Sequence, residues 1–335
     1  MKSVRTPSVV AILVFALAGA FTASAAPADR DAPLQVSFLF EPVIQKGFGG
    51  TAYDLSFPAG SGWTGLSRLE FPELALEAGG TVGITIDRGG RREWLIEAGA
   101  THSTFAISGS MNDYDWMQPG SYPRIPFSFT YCDDTTVSWR VSADAAWTVA
   151  SAGPWLFAAF GMYRYQDTRH VEDTVTGWQY DWSATPYTLS YGYLPDADVL
   201  EYSLTSHSLG IGLLGEVAVT SAFSLQLRAA YTPVYVSDRD DHKVRTKLST
   251  AEGWGNGIYA NLRARYRLAP IGRAVTPYIA LDGELVYYVV DTTQTQYWYG
   301  NQDPPTPAGY QVTGVGHVIT SLQYGIGLRI GFLVP

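Results

Sequence analysis

The stretch Ser321–Phe332, SLQYGIGLRIGF, has a period of two. Leu322, Tyr324, Ile326, Leu328, Ile330 and Phe332 are apolar or aromatic, while Gln323, Gly325, Gly327, Arg329 and Gly331 are small or polar. Successive side chains of a β-strand point to opposite faces, so as a strand this segment has one greasy face and one polar face. The same alternation recurs at Phe223, Leu225, Leu227, Ala229 and Tyr231 against Ser224, Gln226 and Arg228, and at Trp155, Phe157, Ala159 and Tyr163 against Arg164 and Gln166. Periodicity alone fits a β-sandwich or a soluble barrel as well. The polar face separates these readings: a packed core of Arg, Gln, Ser and Gly would leave polar groups unsatisfied, whereas a wet lumen or an internal salt-bridge network would not. The pattern points to the apolar-out, polar-in strands of a transmembrane β-barrel.

Runs of this kind predict about ten strands, over roughly residues 34–53, 66–86, 93–108, 136–150, 155–168, 201–219, 223–237, 252–269, 276–296 and 314–332. Short turns near 87–92, 151–154, 220–222 and 270–275 alternate with long connections over 54–65, 109–135, 169–200, 238–251 and 297–313. Short periplasmic turns and long outer loops are the rule for outer-membrane barrels, so an all-β, ten-stranded antiparallel barrel with its long connections outside the cell is expected. Several strands exceed the roughly 9–11 residues that cross the hydrocarbon, and these are expected to stand above the membrane.

Composition agrees. The chain is 46% hydrophobic and 14% aromatic, yet beyond its first segment it has no apolar run near the roughly 18 residues that a membrane helix needs. Met1–Ala25 reads as a secretory signal: Lys2 and Arg5 precede the apolar Val9–Ala20, and Ala23-Ser24-Ala25 forms a small-x-small cleavage site. One barrel domain is then expected over residues 26–335. A net charge of -9 with 16% charged residues carries no basic nucleic-acid footprint. The single Cys132 argues against a disulfide scaffold and reads as a tolerated loop residue, because Tyr131, Asp133 and Asp134 beside it offer no cation to activate a thiol.

Two acidic clusters stand out. VSDRDDHKVR, residues 236–245, places Asp238, Asp240 and His242 on the parity of Ser224, Gln226 and Arg228, so all three point into the barrel mouth if the strand continues without a bulge. GSMNDYDWMQPG, residues 109–120, carries Asp113 and Asp115 one residue apart just past the third predicted strand. Each run taken alone fits a solvated outer loop. In a barrel of about ten strands, however, the third and seventh lie nearly opposite, so two carboxylate pairs and a histidine would face one another over a cleft. Like charges at that distance raise one carboxyl pKa and an aspartate raises a histidine's, the poise that acid-base work on a water requires.

The motifs MNDYDWM and DRDDH, with their order, their spacing and the ten-strand plan, resemble the omptins, outer-membrane aspartate/histidine endopeptidases of Gram-negative bacteria. The resemblance covers essentially the whole chain after residue 25. It implies peptide-bond hydrolysis by an activated water: Asp240 orients His242, His242 acts as general base, and Asp113 with Asp115 hold the water and stabilise the developing charge. No metal or other cofactor is implied. Asp238 matches an acid that binds a basic substrate side chain in that family, whereas the partnering first-strand glutamate falls at Gly50 here, with Glu41 or Asp54 as substitutes under a shifted alignment. A preference for basic residues with reduced stringency is therefore expected. YQDTR resembles the family's lipopolysaccharide-binding stretch; Tyr165, Asp167 and Arg169 share the parity of lipid-facing Trp155, Phe157 and Tyr163, and an ordinary interfacial girdle of tyrosine and charge accounts for them equally.

The expected partners are surface polypeptides and outer-membrane lipid, with lipopolysaccharide as the lipid that activity would require, and the active site faces the exterior. A non-catalytic adhesin or surface-binding barrel is the alternative, and a small porin a weaker one. His102 reads as a structural hydrogen-bonding residue, and His170, His207 and His317 have no Cys or His at zinc spacing. Leu333-Val334-Pro335 follow Phe332, where barrels usually finish on an aromatic.

Overall fold

A computed structural model describes residues 34–60, 62–181, 188–195, 198–272, 275–301 and 306–335, the side chains of 104–108 excepted. The segment read as a signal, residues 1–25, lies outside the described residues. Twelve antiparallel strands form one sheet: β1 (Leu34–Pro58), β2 (Trp63–Pro72), β3 (Ala75–Arg88), β4 (Arg91–Pro119), β5 (Ile125–Ala152), β6 (Trp155–Asp181), β7 (Thr188–Leu194), β8 (Leu200–Ala218), β9 (Phe223–His242), β10 (Lys247–Arg267), β11 (Thr276–Trp298) and β12 (Gln311–Val334). They fill ten positions around a closed ring, because β3 and β2 stack end to end between β1 and β4, and β8 and β7 stack likewise along β6. Pairing of β12 with β1, from Phe38↔Val334 to Ser56↔Gly316, closes the barrel and leaves β7, paired with β6 alone, as an edge above it.

The break between β2 and β3 has a local cause. Pro72 cannot donate to a ladder, and the next amide, Glu73 N–H, instead bonds Gly49 O at 3.0 Å. Gly49 has φ 102°, and a Cβ there would lie 2.1 Å from Leu322 O, so only glycine fits.

The apolar-out expectation holds around the lower ring. Phe40, Trp94, Trp147, Leu227, Leu262 and Ile326 are exposed on the outer face, the surface that lipid covers. Inside, arginines and acids interlock. Arg263 reaches Asp282 at 2.7 Å, Glu97 at 3.4 Å and Glu41 at 3.6 Å; Arg228 holds Asp144 at 3.1 Å; Arg164 holds Glu284 at 3.0 Å and lies 4.0 Å over the Tyr259 ring. Removing one partner from such a set leaves a buried charge uncompensated, at about 3–5 kcal/mol. The network leaves a cavity of about 80 Å³, room for a few waters and too little for the wide aqueous path of a porin.

The strand ends differ from expectation. The predicted long connections at 109–135 and 169–200 are largely strand, since β4 has 29 residues, β5 has 28 and β6 has 27. At roughly 3.3 Å per residue and a tilt of about 40°, β4 rises some ~70 Å, more than twice the ~30 Å hydrocarbon thickness. Above the membrane the polar-in rule also reverses. Tyr53, Phe71, Tyr202, Val236, Val290 and Ile319 point inward there and form a buried apolar layer. Water now lies outside the wall, so greasy side chains gain by facing in, and the alternation that marks a lipid-facing strand is lost from these segments. Cys132, expected in a loop, sits buried on β5 in that same layer. Burial first, then the charge of Glu172, push its thiol up to about 12, which leaves it inert.

Candidate active site

β9 runs unbroken to His242, so Asp238, Asp240 and His242 do share its inward face. Asp240 lies 3.0 Å from His242 Nε2 through Oδ2 and is buried. The Tyr53 hydroxyl of β1, across the barrel, donates to the same carboxylate oxygen. The acid thus holds the imidazole and is itself held. Burial works against the charge on Asp240, but the His242 imidazole and the Lys247 ammonium outweigh it and keep the carboxyl below its usual range. For His242, burial comes first and lowers the pKa; Asp240 opposes, Lys247 and Arg245 add to the lowering, and the net value falls below the ordinary one. The sequence-level expectation that Asp240 would raise it is corrected: desolvation and two neighbouring cations win. The imidazole is neutral at pH 7, the form a general base requires.

Asp113 and Asp115 lie within β4, and β2 and β5 hold them in place. Ser67 Oγ of β2 donates to Asp113 Oδ1 at 3.3 Å, and Ser128 Oγ of β5 donates to Asp115 Oδ2 at 2.5 Å. Burial, then the like charge of Asp115, push the Asp113 carboxyl up to about 7, against the partial relief of Arg245 and Lys247. Asp113 and His242 line one cavity of about 420 Å³, together with Met111, Trp178, Tyr191 and Arg245. That volume falls in the ~300–1,000 Å³ range of ligand and substrate pockets. The structure therefore brings one member of each predicted cluster, Asp113 and His242, to one cleft.

Asp238 takes a different position. It is buried, bonded to His317 Nε2 at 2.8 Å, and accepts from Ala251 N–H at 2.9 Å and the Tyr202 hydroxyl at 3.4 Å. Gly50 lies on the outward parity of β1, between Leu322 and Pro72. Of the two substitutes, Glu41 is occupied deep in the lumen by Tyr278 and Arg329, and Asp54 pairs with Arg68 at 3.0 Å. The inward residue that β1 contributes at the cleft is Tyr53, which the sequence reading missed; its parity with Glu41 and Val43 was the available signal. Tyr165, Asp167 and Arg169 stand on the outer wall, in register with Val141, Trp139 and Val137. Arg169 is held 2.9 Å from Glu201, Asp167 accepts from Thr205 at 2.9 Å, and the Tyr165 ring packs 5.2 Å from His207. His102, expected to be a structural residue, packs edge-on against Trp139 at 4.1 Å.

Comparison with known protein families and with curated proteins finds no match. Among solved structures, the fold is similar to the outer membrane protease OmpT from Escherichia coli, with a TM-score of 0.70 and 15% identity over 89% of this chain and 96% of that one. The translocator domain of the autotransporter NalP from Neisseria meningitidis overlaps at a TM-score of 0.33 and 11% identity, over 89% of each chain. The protein is an outer-membrane-type, ten-position β-barrel.

Proposed function

We propose that this barrel is an outer-membrane endopeptidase, with its cleft outside the cell, that hydrolyses exposed polypeptides by an Asp/His-activated water. The observation that carries the reading is that His242, held 3.0 Å from Asp240, and Asp113 line one cavity. With Nε2 committed to Asp240, His242 Nδ1 takes the proton as the water oxygen attacks the peptide carbonyl carbon. An ionised acid cannot stabilise the oxyanion that forms, whereas a protonated one can donate to it, and Asp113 with its raised pKa suits that role. His242 then returns its proton to the leaving amine as the C–N bond breaks. The reacting groups use no metal.

Asp113 gives the cleft a preference for basic side chains, but Arg245 lines it too, Asp238 is already engaged and no described first-strand acid joins it, so selectivity should be weaker than a two-carboxylate site provides. Cleavage of a quenched peptide library by the refolded protein with lipopolysaccharide tests this. Cuts enriched beside Arg and Lys, with neutral residues also accepted, are expected; no cleavage by a folded barrel would transfer the fold to a surface-binding role.

Tyr165 and Arg169 face outward in register with the exposed Val141 and Val137 of β5; with this stretch at head-group height, a lipid phosphate would displace Glu201 from Arg169. Arg169→Ala is expected to raise the lipopolysaccharide concentration for half-maximal activity severalfold. An unchanged titration would remove Arg169 from lipid binding.

A further inference from the structure

Below the cleft, in the wall formed by β5 and β6, Asp134, His170 and Glu172 converge and all three are fully buried. Their ligating atoms lie within 4.8 Å of one another. Donors about 2.1 Å from one cation stand some ~3–4 Å apart, so closing this set needs side-chain shifts well under the length of a bond. His170 Nδ1 is already 3.2 Å from both Asp134 oxygens, and Thr136 Oγ1 donates to Asp134 Oδ2 at 2.9 Å, fixing that carboxylate from behind.

A second observation is independent of the clustering. His170 Nε2 and the neighbouring Glu73 Oε2 are buried side-chain atoms with no hydrogen-bond partner among the described residues, and neither Glu172 oxygen has one beyond the adjacent Asp134 carboxyl. Buried polar atoms are satisfied in the great majority of cases, so several orphans at one point mark a missing partner of definite chemistry. Among the described residues, no lysine or arginine pairs with Asp134 or Glu172; their one ionic contact is His170. Two carboxylates and an imidazole with a deficit of positive charge are the donor set of a divalent cation.

We propose that Asp134, His170 and Glu172 bind one divalent transition cation of the zinc or manganese class, the metals suited to mixed imidazole and carboxylate donors. The site is separate from the reacting groups. Asp134, Glu172, Leu200 and His242 follow one register row across β5, β6, β8 and β9, which sets Glu172 two strand spacings, about 10 Å, from His242. The cation ties β5 to β6 where the wall leaves the membrane, under the Phe71 ring that packs 5.1 Å from His170 and 4.3 Å from Tyr202.

The test is calorimetric titration of zinc and of manganese into the chelator-stripped, refolded full chain in detergent without lipopolysaccharide, beside His170→Ala, the isosteric Glu172→Gln, and His242→Ala. Folding is verified in each by resistance to unfolding in unheated SDS. Saturable binding of one equivalent by the wild type and by His242→Ala, lost in His170→Ala and Glu172→Gln, is expected, with a higher Tm on metal loading in the two binding proteins and in neither of the others. No stoichiometric binding by the wild type overturns the site and leaves two carboxyls sharing a proton. Binding that survives in Glu172→Gln but disappears in His242→Ala overturns it too, by moving the metal to the cleft. Neither result bears on whether the protein cleaves peptides.

Discussion

His242→Ala is expected to reduce kcat for peptide cleavage by roughly 10²–10⁴-fold, the contribution of a positioned general base, with little change in KM. The imidazole sits at the last residue of β9, at the rim of the wall, and its one described side-chain bond is to Asp240. Truncation therefore removes chemistry without opening the apolar layer below. Asp240→Asn should fall in the same range, because an amide that accepts from Tyr53 through its oxygen cannot hold the imidazole as a carboxylate does. Tyr53→Phe removes only the hydroxyl that orients Asp240, so a smaller loss, about tenfold, is expected. Steady-state kinetics on one quenched peptide measures all three; a His242→Ala enzyme within tenfold of wild type would end the general-base reading.

The pH profile carries the second large effect. His242 works as a base only when neutral, and burial with Lys247 and Arg245 places its folded pKa below the ordinary 6.5, so the acid limb of kcat/KM should lie below pH 6.5. Asp113 supplies a hydrogen bond only when protonated, and its carboxyl is pushed up to about 7, so activity should fall again as pH rises through about 7. The result is a bell with its maximum on the acid side of neutrality and roughly a tenfold loss for each unit above the upper limb. Asp113→Asn keeps a donor that does not titrate, and is expected to abolish the alkaline limb while the acid limb stays. If the alkaline limb persists in Asp113→Asn, another group titrates there and the oxyanion role of Asp113 is wrong.

How much of this was legible in sequence depended on which solvent touched each face. Along Leu322–Phe332 and Phe223–Tyr231, lipid on one side and buried charge on the other print a strict period of two, and those strands fall where the alternation places them. Above the membrane both faces meet a different balance, so 109–135 and 169–200 read as loops although their described residues are largely strand. The parity argument still carried Asp240 and His242 inward, because β9 reaches His242 without a bulge. It did not single out Tyr53, since parity marks the residue only as inward-facing and its role comes from a carboxylate 187 residues away.

The cluster at His170 was not legible in sequence for a related reason. Its neighbours in space are Asp134 on the adjacent strand and Glu172 two residues on, both carboxylates, and strand pairing rather than sequence spacing joins them. The sequence by itself determined the barrel, its lipid-facing belt and the two acidic pairs, because alternation is a local consequence of strand geometry at a lipid boundary. Only the tertiary structure decided that the Asp113 carboxyl is raised, that the His242 pKa is lowered, and that Asp238 is already engaged. Those properties come from burial and from charges on other strands, and they exist only after the ring closes.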